Sequence, residues 1–257
     1  MYKELNKKDF YDLLKFPLEK TVDAVIVSGN SLANKDRESD LFQQALSTLP
    51  EVKEVKNIKN PFFSTIQEYE IDNKLIWFDV AYGGAYLSEL LHISAIFGSK
   101  ENYLVGSCGG LNDKLNTGDL IIPTYTYGNE STTRMYKKDS KDNKHYPNEE
   151  LCEDIILSIQ KYNVNRGPVI TCQSMLAETK QDIETWSKNG YYGVEMESST
   201  FFAVSNHFKI PSVAIFHVSD NLVKNILYGN TELTNKKEFR NNLKIYQFEI
   251  ILKNILK

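Results

Sequence analysis

Cysteine is scarce in this sequence. Cys108, Cys152 and Cys172 are the only ones in 257 residues, too few and too scattered for a disulfide framework or a zinc site. They are read as reduced thiols, the state kept in the cytoplasm. Long apolar runs are missing as well. No stretch reaches the roughly 18 apolar residues of a membrane span, and MYKELNKKDFYDLLKF at the start lacks the apolar segment of a secretory signal. A basic excess is also absent: the formal net charge is −4, which argues against a general nucleic-acid binder. There is no internal repeat and no low-complexity segment. The expectation is a cytoplasmic chain with no nucleic-acid or membrane partner.

What is present is ordinary for a soluble enzyme: 41% hydrophobic and 25% charged residues. The length suits one large α/β domain or two small ones, and residues 1–257 are read as one. Strand-like and helix-like patterns alternate. VDAVIVS (22–28), KLIWFDVAY (74–82), ENYLVG (101–106), DLIIP (119–123, closed by its proline), GPVITC (167–172) and SVAIFHV (212–218) read as strands. LSELLHISAIFG (87–98) and EELCEDIILSIQKY (149–162) have helical spacing, and the tail from about Glu232 reads as a long helix. Thr179 is placed to cap a helix running to Trp186, with Asp182 at its third position. Residues 124–148, with the charged KKDSKDNKH (137–145), read as a solvated loop. This alternation predicts an α/β fold with a mostly parallel sheet covered by helices on both faces. Sites in such sheets lie at the carboxyl ends of strands. Gly29-Asn30, Gly83-Gly84, Ser107-Cys108-Gly109 and Ser219-Asp220 all follow strands, so they are expected on one rim.

Two acids draw attention in YYGVEMESST (191–200), where Glu195 and Glu197 flank Met196. A carboxylate near a helix start is favoured by the helix dipole, so Glu197 alone has a structural explanation. Asp220, after an apolar strand, has one too, as a turn former or cap. GSCGG (106–110) reads as a small-residue turn whose N–H groups can face an anion.

Taken together, GSCGGLNDKLNTGDLIIP (106–123), GVEMES (193–198) and VSDN (218–221), in this order, resemble the nucleoside phosphorylase-I family of purine nucleoside and uridine phosphorylases and related nucleosidases. VIVSGN (25–30), YGGAYLSELL (82–91), ESTTRMY (130–136) and ETKQDIETW (178–186) extend the resemblance over most of the chain. It implies the three-layer phosphorylase fold, a mixed, mostly parallel central sheet between helices. It implies that Glu197 holds the ribose hydroxyls, that Met196 packs on the sugar, and that Glu195 is a structural or sugar-side partner. A fixed carboxylate opposes the oxocarbenium charge that develops as the glycosidic bond breaks. Asp220 then serves the leaving group, donating to N7 of a purine, with Ser219 orienting it; its carboxyl must stay protonated near neutrality, which burial favours. Pyrimidine-specific members lack this aspartate. Ser107, the N–H groups of Cys108 and Gly109, and Gly29 correspond to the phosphate site. Neither a metal nor an organic cofactor is implied, only inorganic phosphate as co-substrate.

The resemblance breaks at the phosphate. The family's arginine positions are Ala33 and Leu104 here, and the segment that reaches a neighbouring subunit offers only Lys56 and Lys59. Lys35, Arg37 and Arg134 are candidate substitutes. Met175 and Leu176 stand where the family places an aromatic residue beside the base, and Lys236 or Lys237 would replace a basic residue that assists the aspartate. The leading expectation is a purine nucleoside phosphorylase yielding base and (deoxy)ribose 1-phosphate. The alternatives are a hydrolytic nucleosidase, although no glutamate precedes Glu38 in the first loop to activate water, and a non-catalytic nucleoside-binding protein. The family's shared sites imply a homo-oligomer, a dimer or a trimer of dimers.

Overall fold

A computed structural model describes residues 2–14, 17–49, 52–58, 66–138, 141–227 and 237–257. Among these, ten strands form one sheet: β1 Ala24–Gly29, β2 Val52–Ile58, β3 Ile66–Ile71, β4 Lys74–Ala81, β5 Glu101–Gly110, β6 Leu120–Tyr127, β7 Lys144–His145, β8 Val164–Thr171, β9 Gly193–Glu195 and β10 Ser212–Asn221. The helices are α1 Lys7–Leu14, α2 Lys35–Leu46, α3 Gly84–Ile96, α4 Ser131–Tyr136, α5 Glu149–Ser158, α6 Lys180–Lys188, α7 Ser198–His207 and α8 Lys237–Ile255.

The apolar strands have a core on each side, because alternate residues point to opposite faces. Val25 and Val27 of β1 join the core under α3 and α7, while Ala24 and Ile26 join the one under α2, α5 and α8. In the second core Phe42 stacks on Phe78 at 4.2 Å, and Phe248 meets Phe42 edge-on at 5.3 Å. The central path runs β2-β3-β4-β1-β5-β9-β8-β6-β10, and β10 pairs back to β5. The strands β5, β9, β8, β6 and β10 therefore close on themselves.

The sheet is mixed rather than mostly parallel. Five strand pairings are parallel and five antiparallel. The antiparallel ones come from the meander β2–β3–β4 at one edge and from short returning strands such as β9 and β7, which local pattern alone does not orient. The four strands that carry the site run parallel, however: β1 with β4 and β5, and β5 with β10. Their carboxyl ends emerge together.

Several boundaries differ from the sequence reading. GSCGG is not a turn: β5 continues to Gly110, paired with β10 on one side and β9 on the other. A ladder on both sides holds glycines extended that would otherwise bend. Likewise β6 passes Pro123 through an irregularity between Pro123 and Thr126, which accommodates the missing N–H. The segment 124–148 therefore contains the end of β6, α4 and β7. Helix α5 stops at Ser158 because Ile159 turns extended. Thr179 caps α6 with Asp182 in a complete capping box. The tail helix is described over Lys237–Ile255, and its expected start near Glu232 lies outside the described residues. Lys59 and Lys236 lie outside the described residues, as does the side chain of Lys56.

Candidate active site

The rim forms where the four parallel strands end. Helix α7 starts there, and Glu197 occupies its N-cap position without a side-chain bond to the helix. Glu197 is buried, and its Oε1 accepts the Gly83 N–H at 2.8 Å. Gly83 begins α3 at φ 74°, a left-handed conformation suited to glycine. Glu197 Oε2 lies against Gly29: a Cβ on that residue would come within 2.8 Å of it. The glycine that ends β1 and the one that follows β4 thus let backbone approach one carboxylate from two sides.

Glu195 has a different environment. Thr171 Oγ1 and Ser198 Oγ donate to its Oε1 at 2.7 and 2.6 Å, and the N–H groups of Glu197 and Ser198 donate to Oε2 at 2.8 and 2.7 Å. Four donors fill the acceptor capacity of a carboxylate, and two of them are the N–H groups of the N-cap and first residue of α7. Glu195 caps the helix and shapes the turn that presents Glu197. Burial pushes the Glu197 carboxyl up to about 8, with the charge of Glu195 adding to it and the Gly83 N–H and the Lys244 ammonium opposing. Burial raises Glu195 as well, against its four donors. More hydrogen-bond donors stabilise the charge on Glu195 than on Glu197.

Asp220 stands on the same rim. The register of β10 against β5 slips between Val218 and Asp220, leaving Ser219 as the extra residue, and such bulges re-aim side chains. Ser219 Oγ lies 2.6 Å from Asp220 Oδ1 and 3.1 Å from the Cys108 carbonyl. The Asp220 carboxyl is buried, with its neighbour's hydroxyl holding one oxygen. Cys108 is buried beneath, its thiol pushed well above the usual range by burial and then by the charges of Asp220 and Glu195.

Other residues on the rim gave no motif to read. The Gln173 amide donates to the Met196 carbonyl at 2.8 Å and accepts the Gly84 N–H at 3.1 Å. Glu130 accepts Ser199 Oγ at 2.6 Å. Glu178 is half-buried, and burial raises its carboxyl, with a Cys172 bond opposing and the charge of Asp220 contributing. Glu130 and Glu178 fall inside the resembling segments ESTTRMY and ETKQDIETW, and Gln173 lies two residues before Met175 at the base-side position, which is the one signal that marks them.

The anion side has few cations. Leu104 is fully buried in the core and Ala33 is exposed on a short 3-10 turn. Lys35 pairs with the buried Asp79 at 2.6 Å. Arg37 donates to Asn241 at 2.7 Å and lies 3.4 Å from Glu38. Arg134 is exposed on α4, and Lys237 is exposed at the start of α8. Ser107 is exposed at the end of β5, with Gly109 beyond it. Met196 is half-buried; Met175 and Leu176 lie exposed on the 3-10 turn Met175–Ala177, Leu176 at 94%. Among the described residues no group of three or more His, Cys, Asp or Glu is arranged to hold a metal ion, and no helix is long and apolar enough to cross a membrane.

Comparisons with known proteins agree with this frame. The family model described as the phosphorylase superfamily matches residues 88–256. A DeoD-type purine nucleoside phosphorylase of Clostridium novyi (strain NT) is 26% identical over 140 residues, 54% of this chain and 58% of that protein. The chain thus spans little more than half of that relative. A 5'-methylthioadenosine/S-adenosylhomocysteine nucleosidase of Bacillus subtilis (strain 168) is 25% identical over 173 residues, 61% of this chain and 70% of that protein. The crystal structure of a Campylobacter jejuni nucleosidase of the same description superposes with a TM-score of 0.71 at 14% identity, covering 90% of this chain and 97% of that one.

Proposed function

The chain belongs to the phosphorylase superfamily, and from that premise we propose that it cleaves the N-glycosidic bond of a purine nucleoside, with water as the nucleophile. The observation that carries the reading is the placement of two buried carboxylates, Glu197 and Asp220, on one rim at the ends of parallel strands. In the proposed reaction Glu197 binds the ribose hydroxyls and opposes the oxocarbenium charge, while Met196 packs on the sugar. Asp220, steered by Ser219, gives its proton to N7 of the base as the C1′–N9 bond breaks; the water that bonds to C1′ passes its proton to solvent, from which Asp220 is reprotonated. Met175 and Leu176 flank the base by dispersion, and Gly29, Ser107, Cys108 and Gly109 line the nucleophile's side. Glu195 acts through Glu197, as its helix cap.

What supports water over phosphate is the engagement of the nearby cations. A phosphate dianion is normally held by charge-assisted bonds, and Lys35 and Arg37 are already paired with Asp79, Asn241 and Glu38. Binding phosphate there would leave the buried Asp79 without its lysine. Phosphorolysis is the second reading, favoured by the exposed Ser107 near the end of β5 and by the DeoD-type relatives. In that case the cation comes from a neighbouring subunit of a homo-oligomer.

The test is release of free purine from inosine and adenosine by the wild type, Glu197→Gln and Asp220→Asn. The reading expects release by the wild type and its near-loss in both variants. No release from any purine nucleoside would overturn it.

A further inference from the structure

Glu197 is held by an N–H at the start of α3 and carried on the segment before α7, two pieces of backbone that no ladder joins. One side chain bridges them. Gln173, just past β8, donates from Nε2 to the Met196 carbonyl at 2.8 Å and accepts at Oε1 the Gly84 N–H at 3.1 Å. Its Nε2 also lies 3.4 Å from Glu130 Oε1, the oxygen that takes Ser199 Oγ. The partners fix the amide's orientation, because a carbonyl and a carboxylate need a donor and an N–H needs an acceptor. The fit is close: a Cβ on Gly83 would come within 3.0 Å of Gln173 Oε1. Both residues that Gln173 grips are immediate neighbours of the Glu197–Gly83 pair. The side chain itself is exposed, so folding does not require it to be there.

We propose that Gln173 is a positioning residue for the sugar-binding carboxylate: its amide ties Met196 to Gly84 and so holds Glu197 and the Gly83 N–H in one unit. This rests on the reading of Glu197 as the sugar-binding group.

Two variants test it. Gln173→Ala removes both bonds. Gln173→Glu keeps an acceptor for Gly84 but sets a carboxylate against the Met196 carbonyl and Glu130; protonation restores one donor. The expected result is an unfolding temperature within a few degrees of wild type for Gln173→Ala, with kcat/KM for ribonucleosides down about tenfold and a smaller loss on 2′,3′-dideoxynucleosides, which lack the hydroxyls. For Gln173→Glu, activity relative to wild type should rise as pH falls from 8 to 5. Equal losses on both sugars, or none, would overturn the proposal.

A carbon-13 NMR titration of the Glu197 carboxyl separates this from failure of the functional reading. The other charged groups acting on Glu197 are Glu195 and Lys244, and both variants keep them. If Gln173 positions the pair, the Glu197 midpoint moves upward in Gln173→Ala, as the Gly83 N–H loosens. An unchanged midpoint overturns the proposal whether or not any nucleoside is turned over.

Discussion

Glu197 accepts a hydrogen bond from the Gly83 N–H at 2.8 Å, across 114 positions of sequence. One end of that bond precedes α7 and the other begins α3, and Gly29 closes on the same carboxylate from β1. Three elements far apart in the chain converge on one oxygen pair.

Replacing Glu197 with glutamine separates function from stability. Activity should fall by about 100-fold or more, the range for losing a preorganised electrostatic contact. Stability should move the other way. Because burial raises this carboxyl in the folded state, the fold holds a proton that the unfolded chain releases above the ordinary glutamate range. Wild-type stability is therefore lost as pH rises from about 4.5 to about 8. The glutamine variant lacks that dependence, so its advantage in unfolding temperature should grow across the window. A constant difference between pH 5 and 8 would contradict the burial argument.

Gly29→Ala puts a methyl group 2.8 Å from Glu197 Oε2. The carboxylate can move aside only by disturbing the bond that its other oxygen accepts from the Gly83 N–H, and overpacking of this kind costs roughly 1–3 kcal/mol. Denaturant unfolding should show that loss together with a steep fall in turnover. Wild-type values of both would mean that the rim is looser than described.

Glu195→Ala removes the acceptor for four donors, two of them the N–H groups of the N-cap and first residue of α7. Each buried donor left unsatisfied costs about 1–3 kcal/mol, so a loss of about 3 kcal/mol or more is expected by chemical denaturation. A loss under about 1 kcal/mol would show that these bonds are replaced by water.

Asp220→Asn should reduce purine release severely and pyrimidine release little, since a pyrimidine presents no N7. Ser219→Ala should have a milder effect, about tenfold on kcat, because it frees Asp220 Oδ1 to rotate without removing the carboxyl. Steady-state assays on inosine and uridine read both, and equal losses on the two bases would take Asp220 out of the leaving-group role.

The parts of this arrangement that sequence reveals are the local ones. The strands ending at Gly29 and Ala81 are apolar runs with glycine at the end or two positions beyond, and the Thr179–Asp182 box needs only three positions to declare itself. The rim follows from strand ends, provided the strands run parallel, as these four do. What stayed hidden depends on partners far off in the chain. GSCGG looks like a turn until β9 and β10 flank it. Glu195 and Glu197 look alike until Thr171, 24 residues earlier, supplies one of the donors that makes the first a cap. Gln173 is an unremarkable glutamine whose two bonds reach 23 and 89 positions away.

The most direct test of the central claim is the fate of the sugar. Inosine and adenosine are incubated with the protein, with and without inorganic phosphate, and free base and sugar are followed separately. The account predicts free ribose, released at a rate indifferent to phosphate, because Lys35 and Arg37 are already paired. Base release that requires phosphate and yields ribose 1-phosphate would contradict it and point to a cation from a neighbouring subunit.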